Sequence, residues 1–158
     1  MLYLTGDATQ PTGDGIKIIC HVCNDVGGWG AGFSGALSRR WKEPENVFRL
    51  TRPDLGDVQL IQVEQDIIVA NMVAQEGIRH HKNAPPAIRL TCLEECLGKV
   101  RVIANSISKK TQKDVSFHMP MIGTGHAGGD WRQIRPIILR VLHTETIYVY
   151  QFENKESN

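Results

Sequence analysis

Two stretches of the sequence concentrate residues able to do chemistry. The first, Cys20-His-Val-Cys-Asn-Asp-Val-Gly-Gly-Trp-Gly-Ala-Gly-Phe33, sets His21, Asn24 and Asp25 directly before a run of glycines. The second, Gly123-Thr-Gly-His-Ala-Gly-Gly-Asp130, carries His126 and Asp130 among further glycines. Glycine brings no Cβ, so backbone N–H groups can close on an anion without help from lysine. Two such loops could grip a diphosphate from both sides. His21, Asp25, His126 and Asp130 are the candidate acids and bases beside it, able to move a proton to or from attacking water. Plainer readings stand next to these. His21 on an apolar strand suits a core histidine. Asn24 suits a turn residue that ends a strand. Asp130, with Gln133 three residues on, suits a helix cap.

Elements must position these loops. Residues 2–5 and 16–22 read as strands, the second apolar almost throughout, as a strand buried on both faces would be. A helix is expected over 32–41, and Pro44 either closes it or opens a new turn. Residues 58–63 and 66–73 read as two strands joined by a tight polar turn. Pro85 and Pro86 lead into a helix over 87–104, with Ile88, Cys92, Leu93, Cys96, Val100 and Ile103 as its apolar stripe. Residues 108–114 read as a basic surface loop and 115–122 as a strand. A helix follows around 131–142, with Pro136 delaying its start or kinking it. A last strand covers 146–151, and 153–158 read as a frayed tail. Strands alternating with helices give an α/β domain with a mostly parallel or mixed sheet. One domain over 1–152 is expected.

Composition removes several classes. The chain has 158 residues, 41% hydrophobic and 22% charged, with a net charge of +1. That is ordinary for one folded unit and leaves no electrostatic footprint for a nucleic acid or an anionic membrane. With no signal-like N-terminus and no long apolar run, the expected compartment is cytoplasmic. Cys20 and Cys23 would point to opposite faces of a strand, and Cys92 and Cys96 sit four apart on a helix, so all four read as buried thiols rather than metal ligands. The second loop contains a literal G-x-G-x-x-G, but too little chain follows for a dinucleotide fold, and the first loop would stay unexplained. No GxxxxGK[ST] is present. Neither a metal nor a cofactor is expected.

At this point the residues resemble a known family, the macrodomains, which are ADP-ribose-binding modules. The likeness runs from Tyr3-Leu-Thr-Gly-Asp-Ala-Thr9 through His21-Val-Cys-Asn24 and Gly27-Gly-Trp-Gly-Ala-Gly-Phe33 to Met119-Pro-Met-Ile-Gly-Thr-Gly125 and the closing strand. HVCNDVGGWGAG and HMPMIGTGHAGGDW look most like the subgroup of the chromatin-remodeller macrodomain and the terminal ADP-ribose–protein glycohydrolases. The first loop also resembles phosphatases acting on ADP-ribose 1″-phosphate.

The resemblance implies a three-layer α/β/α fold with a mixed central sheet and a cleft at the strand ends. It implies that Asp7, with Ala8, meets adenine, although Asp7 also suits a cap. Phe152 would stack on the adenine ring. Asn24, Gly28, Trp29, Gly30, Ala31, Gly32 and Phe33 would wrap the ligand from one side, and Thr124, Gly125, His126, Ala127, Gly128 and Gly129 from the other. It departs from the glycohydrolases in two places: their lysine aligns near Gln75 and their acid near Ala127. A lysine-dependent route is therefore not expected. Hydrolysis of ADP-ribose 1″-phosphate or of an ADP-ribosyl ester, with His21, Asp25, His126 or Asp130 assisting water, is the first expectation. A reader of ADP-ribose or of ADP-ribosylated macromolecules, without chemistry, is the second.

Overall fold

The computed structural model describes residues 1–152, so the expected frayed tail lies outside the described residues. Six strands form one sheet in the order β1-β6-β5-β2-β4-β3. They are β1 (Leu2–Thr5), β2 (Ile16–Asn24), β3 (Val58–Glu64), β4 (Ile67–Gln75), β5 (Val115–Met119) and β6 (Thr146–Gln151). The pairs β1–β6, β6–β5, β5–β2 and β2–β4 are parallel, and β3 closes the edge antiparallel to β4. Parallel pairing puts five carboxyl ends on one side, where an open α/β sheet binds ligands.

Helices cover both faces, giving three layers. On one face lie α3 (Leu90–Thr111) and α4 (Trp131–Val141). Leu93, Cys96, Leu97, Val100, Ile134 and Ile138 are buried there against Ile18, Cys20, Met72, Phe117, Met119 and Val149. On the other face, α1 (Phe33–Arg40) and the following Trp41 pack on Ile19, Ile67 and Val69 through Leu37. Beside it, α2 (Glu43–Thr51) buries Phe48 against Cys23 and Val73. Strand alternation separates Cys20 from Cys23 into these opposite cores. Three of the cysteines are buried, and Cys92 is half-buried. Burial pushes the Cys20 and Cys96 thiols up to about 12. No described helix is long and apolar enough to cross a membrane.

Several boundaries differ from the sequence expectation. The expected opening or closing turn at Pro44 is a helix, α2, with the proline in its first turn. Its buried apolar residues are Pro44 and Phe48, while Leu50 is 87% exposed, so its periodicity is thin. Helix α3 starts at Leu90 because the N–H groups of Ala87 and Ile88 donate to Ala127 O instead (2.8 and 3.2 Å). It also runs on through the expected basic loop to Thr111, capped by Gln112 at φ 56°. Leu97 and Ala104 are buried on it, while Ile103 is not. Strand β5 stops at Met119, before Pro120, which has no N–H to offer a ladder. Helix α4 begins at Trp131 and accommodates Pro136 inside it, so its start is not delayed.

Candidate ligand-binding cleft

A cleft of ≈ 840 Å³ opens at the carboxyl ends of β2, β5 and β6. His21, Asn24, Gly28, Trp29, Ala31, Gly32 and Phe33 line it from the first glycine loop. Thr124, Gly125, His126 and Ala127 line it from the second, and Phe152 closes one end. The two loops meet at the rim, where a Cβ on Gly32 would sit 3.2 Å from the His126 ring. Asp7, Ala8, Asp25, Gly30, Gly128, Gly129 and Asp130 do not form its wall.

The polar residues beside the loops hold them in shape. Asn24 Oδ1 accepts from the N–H groups of Val26 (3.1 Å) and Gly28 (2.9 Å), while its Nδ2 donates to Gly28 O (2.8 Å). Its amide therefore pins the first loop from within, leaving one N–H. Asp25 Oδ1 accepts from Gly77 N–H (2.8 Å) and ties that loop to the segment after β4. Asp130 caps α4, accepting from Arg132 N–H (2.9 Å), and Arg132 Nη2 lies 2.8 Å from Oδ2. The Arg132 side chain first, and its N–H second, hold the Asp130 carboxyl below the usual range, which makes it a weaker base. Asp7 Oδ1 accepts from Thr9 N–H and hydroxyl, both at 2.8 Å. It stands at the end of β1 next to β6, since Gly6 N–H donates to Gln151 O (2.8 Å). That places Asp7 and Ala8 at the Phe152 end of the cleft.

His21 lies on the cleft floor and is only 3% exposed. Asn71 Nδ2 donates to Pro44 O (3.1 Å) and Gln59 Oε1 (3.2 Å), so Asn71 Oδ1 is the acceptor for His21 Nε2 at 2.6 Å. The ring is thereby fixed with Nδ1 as its lone acceptor. Trp29 packs edge-on against it at 5.3 Å and Phe33 at 5.9 Å. Burial lowers His21 to about 4, with the Asn71 bond a smaller opposing effect, so it is neutral at pH 7. His126, by contrast, is exposed at the rim.

The loops are braced from outside. Trp29 Nε1 donates to Ser38 Oγ (2.7 Å), and Ser38 donates to Glu45 Oε1 (2.8 Å). Arg49 Nε donates to Glu45 Oε2 (3.0 Å), and its Nη1 reaches back to Gly27 O (3.3 Å). Helices α1 and α2 thus close a ring of hydrogen bonds behind the first loop. The Ser38 hydroxyl, and then Arg49, hold the Glu45 carboxyl below its usual range. The second loop is braced by Arg79, whose Nε donates to His126 O (3.3 Å). Gly128 (φ +70°) lies flat under that guanidinium, and a Cβ there would fall 2.4 Å from it.

Sequence reasoning passed over several lining residues. Tyr150 and Gln151 belong to the expected last strand, and Pro120–Gly123 to the turn after β5. Ile78 also lines the cleft and carries no local signal. It reaches the site because its segment crosses over the first loop, its Cδ1 lying 2.6 Å from where a Cβ on Gly28 would be.

A search against protein-family models and a search of curated proteins each returned no match. Solved structures do match. The chain is 43% identical to a protein of unknown function from Bacteroides thetaiotaomicron, over 94% of this chain and 96% of that one, with a TM-score of 0.84. It is 37% identical to a macrodomain protein from Streptomyces coelicolor, over 96% and 99% of the two chains, with a TM-score of 0.81. Its fold also matches Thermosipho africanus DarTG in complex with ADP-ribose, at 18% identity over 90% of this chain and 39% of that one, with a TM-score of 0.62.

Proposed function

Because the chain belongs to the macrodomain family, we propose that its cleft binds ADP-ribose. One observation carries this reading: the loops after β2 and β5, adjacent parallel strands, line a single cleft and touch across its rim. Adenine lies at the β1–β6 end, with Asp7 at its edge, next to Ala8, and Phe152 against its face. Ionised, Asp7 is acceptor-only and suits the adenine amino group. The diphosphate lies between the two loops, under the N–H groups of residues 31–33 and 125–127, while those of Gly28, Gly30, Gly128 and Gly129 are spent on holding the loops in shape. The distal ribose reaches Asn24 and His126. No cofactor takes part, and one domain over 1–152 carries the whole site. Within the family we place the chain near the chromatin-remodeller and terminal glycohydrolase subgroup, on the two motifs quoted above.

A second reading adds hydrolysis at the distal ribose, and the position of His126 favours it. Of the four candidate acids and bases, only His126 both lines the cleft and is exposed. As general base it would take a proton from water as the water oxygen bonds the ribose carbon; the carbon–oxygen bond to the substituent breaks, and phosphate or the ester's carboxylate leaves with the bonding pair. At the position where related glycohydrolases carry lysine stands Gln75, whose Nε2 donates to Gly77 O (3.0 Å). An amide cannot act as that nucleophile, so this route uses water alone.

Calorimetric titration tests the binding reading, and no heat with ADP-ribose at millimolar concentration sinks it. Asp7→Ala should weaken binding by about tenfold or more, the cost of a hydrogen bond to a charged acceptor, with an unchanged circular dichroism spectrum. Incubation with ADP-ribose 1″-phosphate and with an ADP-ribosyl ester, following phosphate or ADP-ribose release, tests the second. Binding with no turnover of either favours a reader of ADP-ribose over a hydrolase. Turnover that persists in His126→Ala removes that residue from the chemistry.

A further inference from the structure

The segment 76–89 joins the two glycine loops, and its outer side forms a second cavity. Arg79, His80, His81 and Lys82 line this groove of ≈ 380 Å³ together with Gly125 and His126. Gly125 and His126 also line the cleft, so one stretch of loop is the wall between the two. In the strand order, the groove falls between the loops after β5 and β4, away from β1 and Asp7. It therefore lies past the distal-ribose end, where whatever is attached to ADP-ribose must leave the cleft.

The groove is cationic, and among the described residues no acidic side chain lines it. The acidic residue of the same segment, Glu76, is paired with Arg89 at 2.9 Å. Arg79 donates from Nε to His126 O (3.3 Å) and from Nη1 to Lys82 O (3.3 Å) and Ala84 O (3.2 Å). With Nε and both Nη1 hydrogens engaged, it cannot offer the two-pronged fork that grips a phosphate or a carboxylate. What remains are Arg79 Nη2, the ammonium of Lys82 and the imidazoles of His80 and His81, donors that can each meet a carboxylate oxygen at a single point. A polynucleotide would need basic residues along a track, yet the chain balances 18 basic against 17 acidic residues.

We propose that this groove receives acidic side chains of an ADP-ribosylated polypeptide, so that the protein selects modification sites flanked by glutamate or aspartate. The proposal rests on ADP-ribose binding in the cleft. Three ligands test it by calorimetry: free ADP-ribose, and two peptides carrying one ADP-ribosyl group through a hydrolysis-resistant linkage, flanked by glutamates or by glutamines. The glutamate peptide should bind roughly fivefold tighter at low salt, as a few exposed ion pairs allow. High salt should erase the difference. The double variant His81→Ser, Lys82→Glu should lose the preference and keep its affinity for free ADP-ribose. Equal binding of the two peptides by the wild type overturns the proposal, as does a preference that survives in the double variant. Tighter binding of an ADP-ribosylated oligonucleotide with a terminal phosphate also overturns it. Failure to bind free ADP-ribose overturns the cleft reading itself.

Discussion

At the scale of residues, most polar groups flanking the glycine loops already have protein partners. Asn24 and Asp25 bond loop N–H groups, and Asp130 caps a helix. The plainer readings of Asn24 and Asp130 describe these contacts, and nothing local in the sequence separates the two kinds of role. Burial decides for the histidines. His118 is fully buried between Tyr150 Oη (2.8 Å, at Nδ1) and Ser116 Oγ (2.7 Å, at Nε2). Burial, helped by the Lys17 charge, lowers it to about 4, as burial lowers His21. Both start from 6.5, so between pH 6.5 and 4 the unfolded chain binds more protons than the folded one. Stability present above that window is therefore lost as the pH falls through it. At pH 5 the loss should be about 2 kcal/mol per histidine. Urea midpoints measured at pH 7 and pH 5 check this. The midpoint should drop sharply at pH 5, and less so in a His118→Asn variant that still folds.

At the scale of elements, the first loop depends on two short helices behind it. The hydrogen-bonded ring Trp29–Ser38–Glu45–Arg49 fixes its outer side. Ser38→Ala leaves Trp29 Nε1 and Glu45 each short of a partner. It should cost about 1 kcal/mol of stability and weaken ADP-ribose binding several-fold, read by thermal denaturation and calorimetry. Gly35, inside α1, lets that helix approach the loop, because a Cβ there would lie 2.6 Å from Gly30 O. Gly35→Ala should therefore displace the loop and lower affinity, although alanine favours helix. An affinity equal to wild type would show that the loop tolerates the shift. Helix α2 was hard to read from sequence because one i, i+4 pair, Pro44 and Phe48, makes its buried face. The β3–β4 pair was legible because alternation and a polar turn are local signals.

At the scale of the whole molecule, the strand order gathers loops that are far apart in the chain. Residues 24–33, 76–89 and 120–130 meet because β2 pairs with both β4 and β5. A ligand held by all three should stabilise the entire fold. ADP-ribose at a hundred times its dissociation constant should add about 2.7 kcal/mol, visible as a raised Tm. An unchanged Tm at saturation, with heat in calorimetry, would mean that the ligand binds the unfolded chain as well. The sequence by itself determined the α/β alternation, the buried central strand and the two glycine loops, because these are set by local periodicity and by glycine's missing side chain. Only the tertiary structure decided which polar residues face the cleft and which hold its walls, and that residues 76–89 bridge the loops. Those contacts join residues tens of positions apart, such as Asp25 to Gly77 and Arg79 to His126. Their partners are chosen by strand order and burial, which no single stretch of sequence encodes.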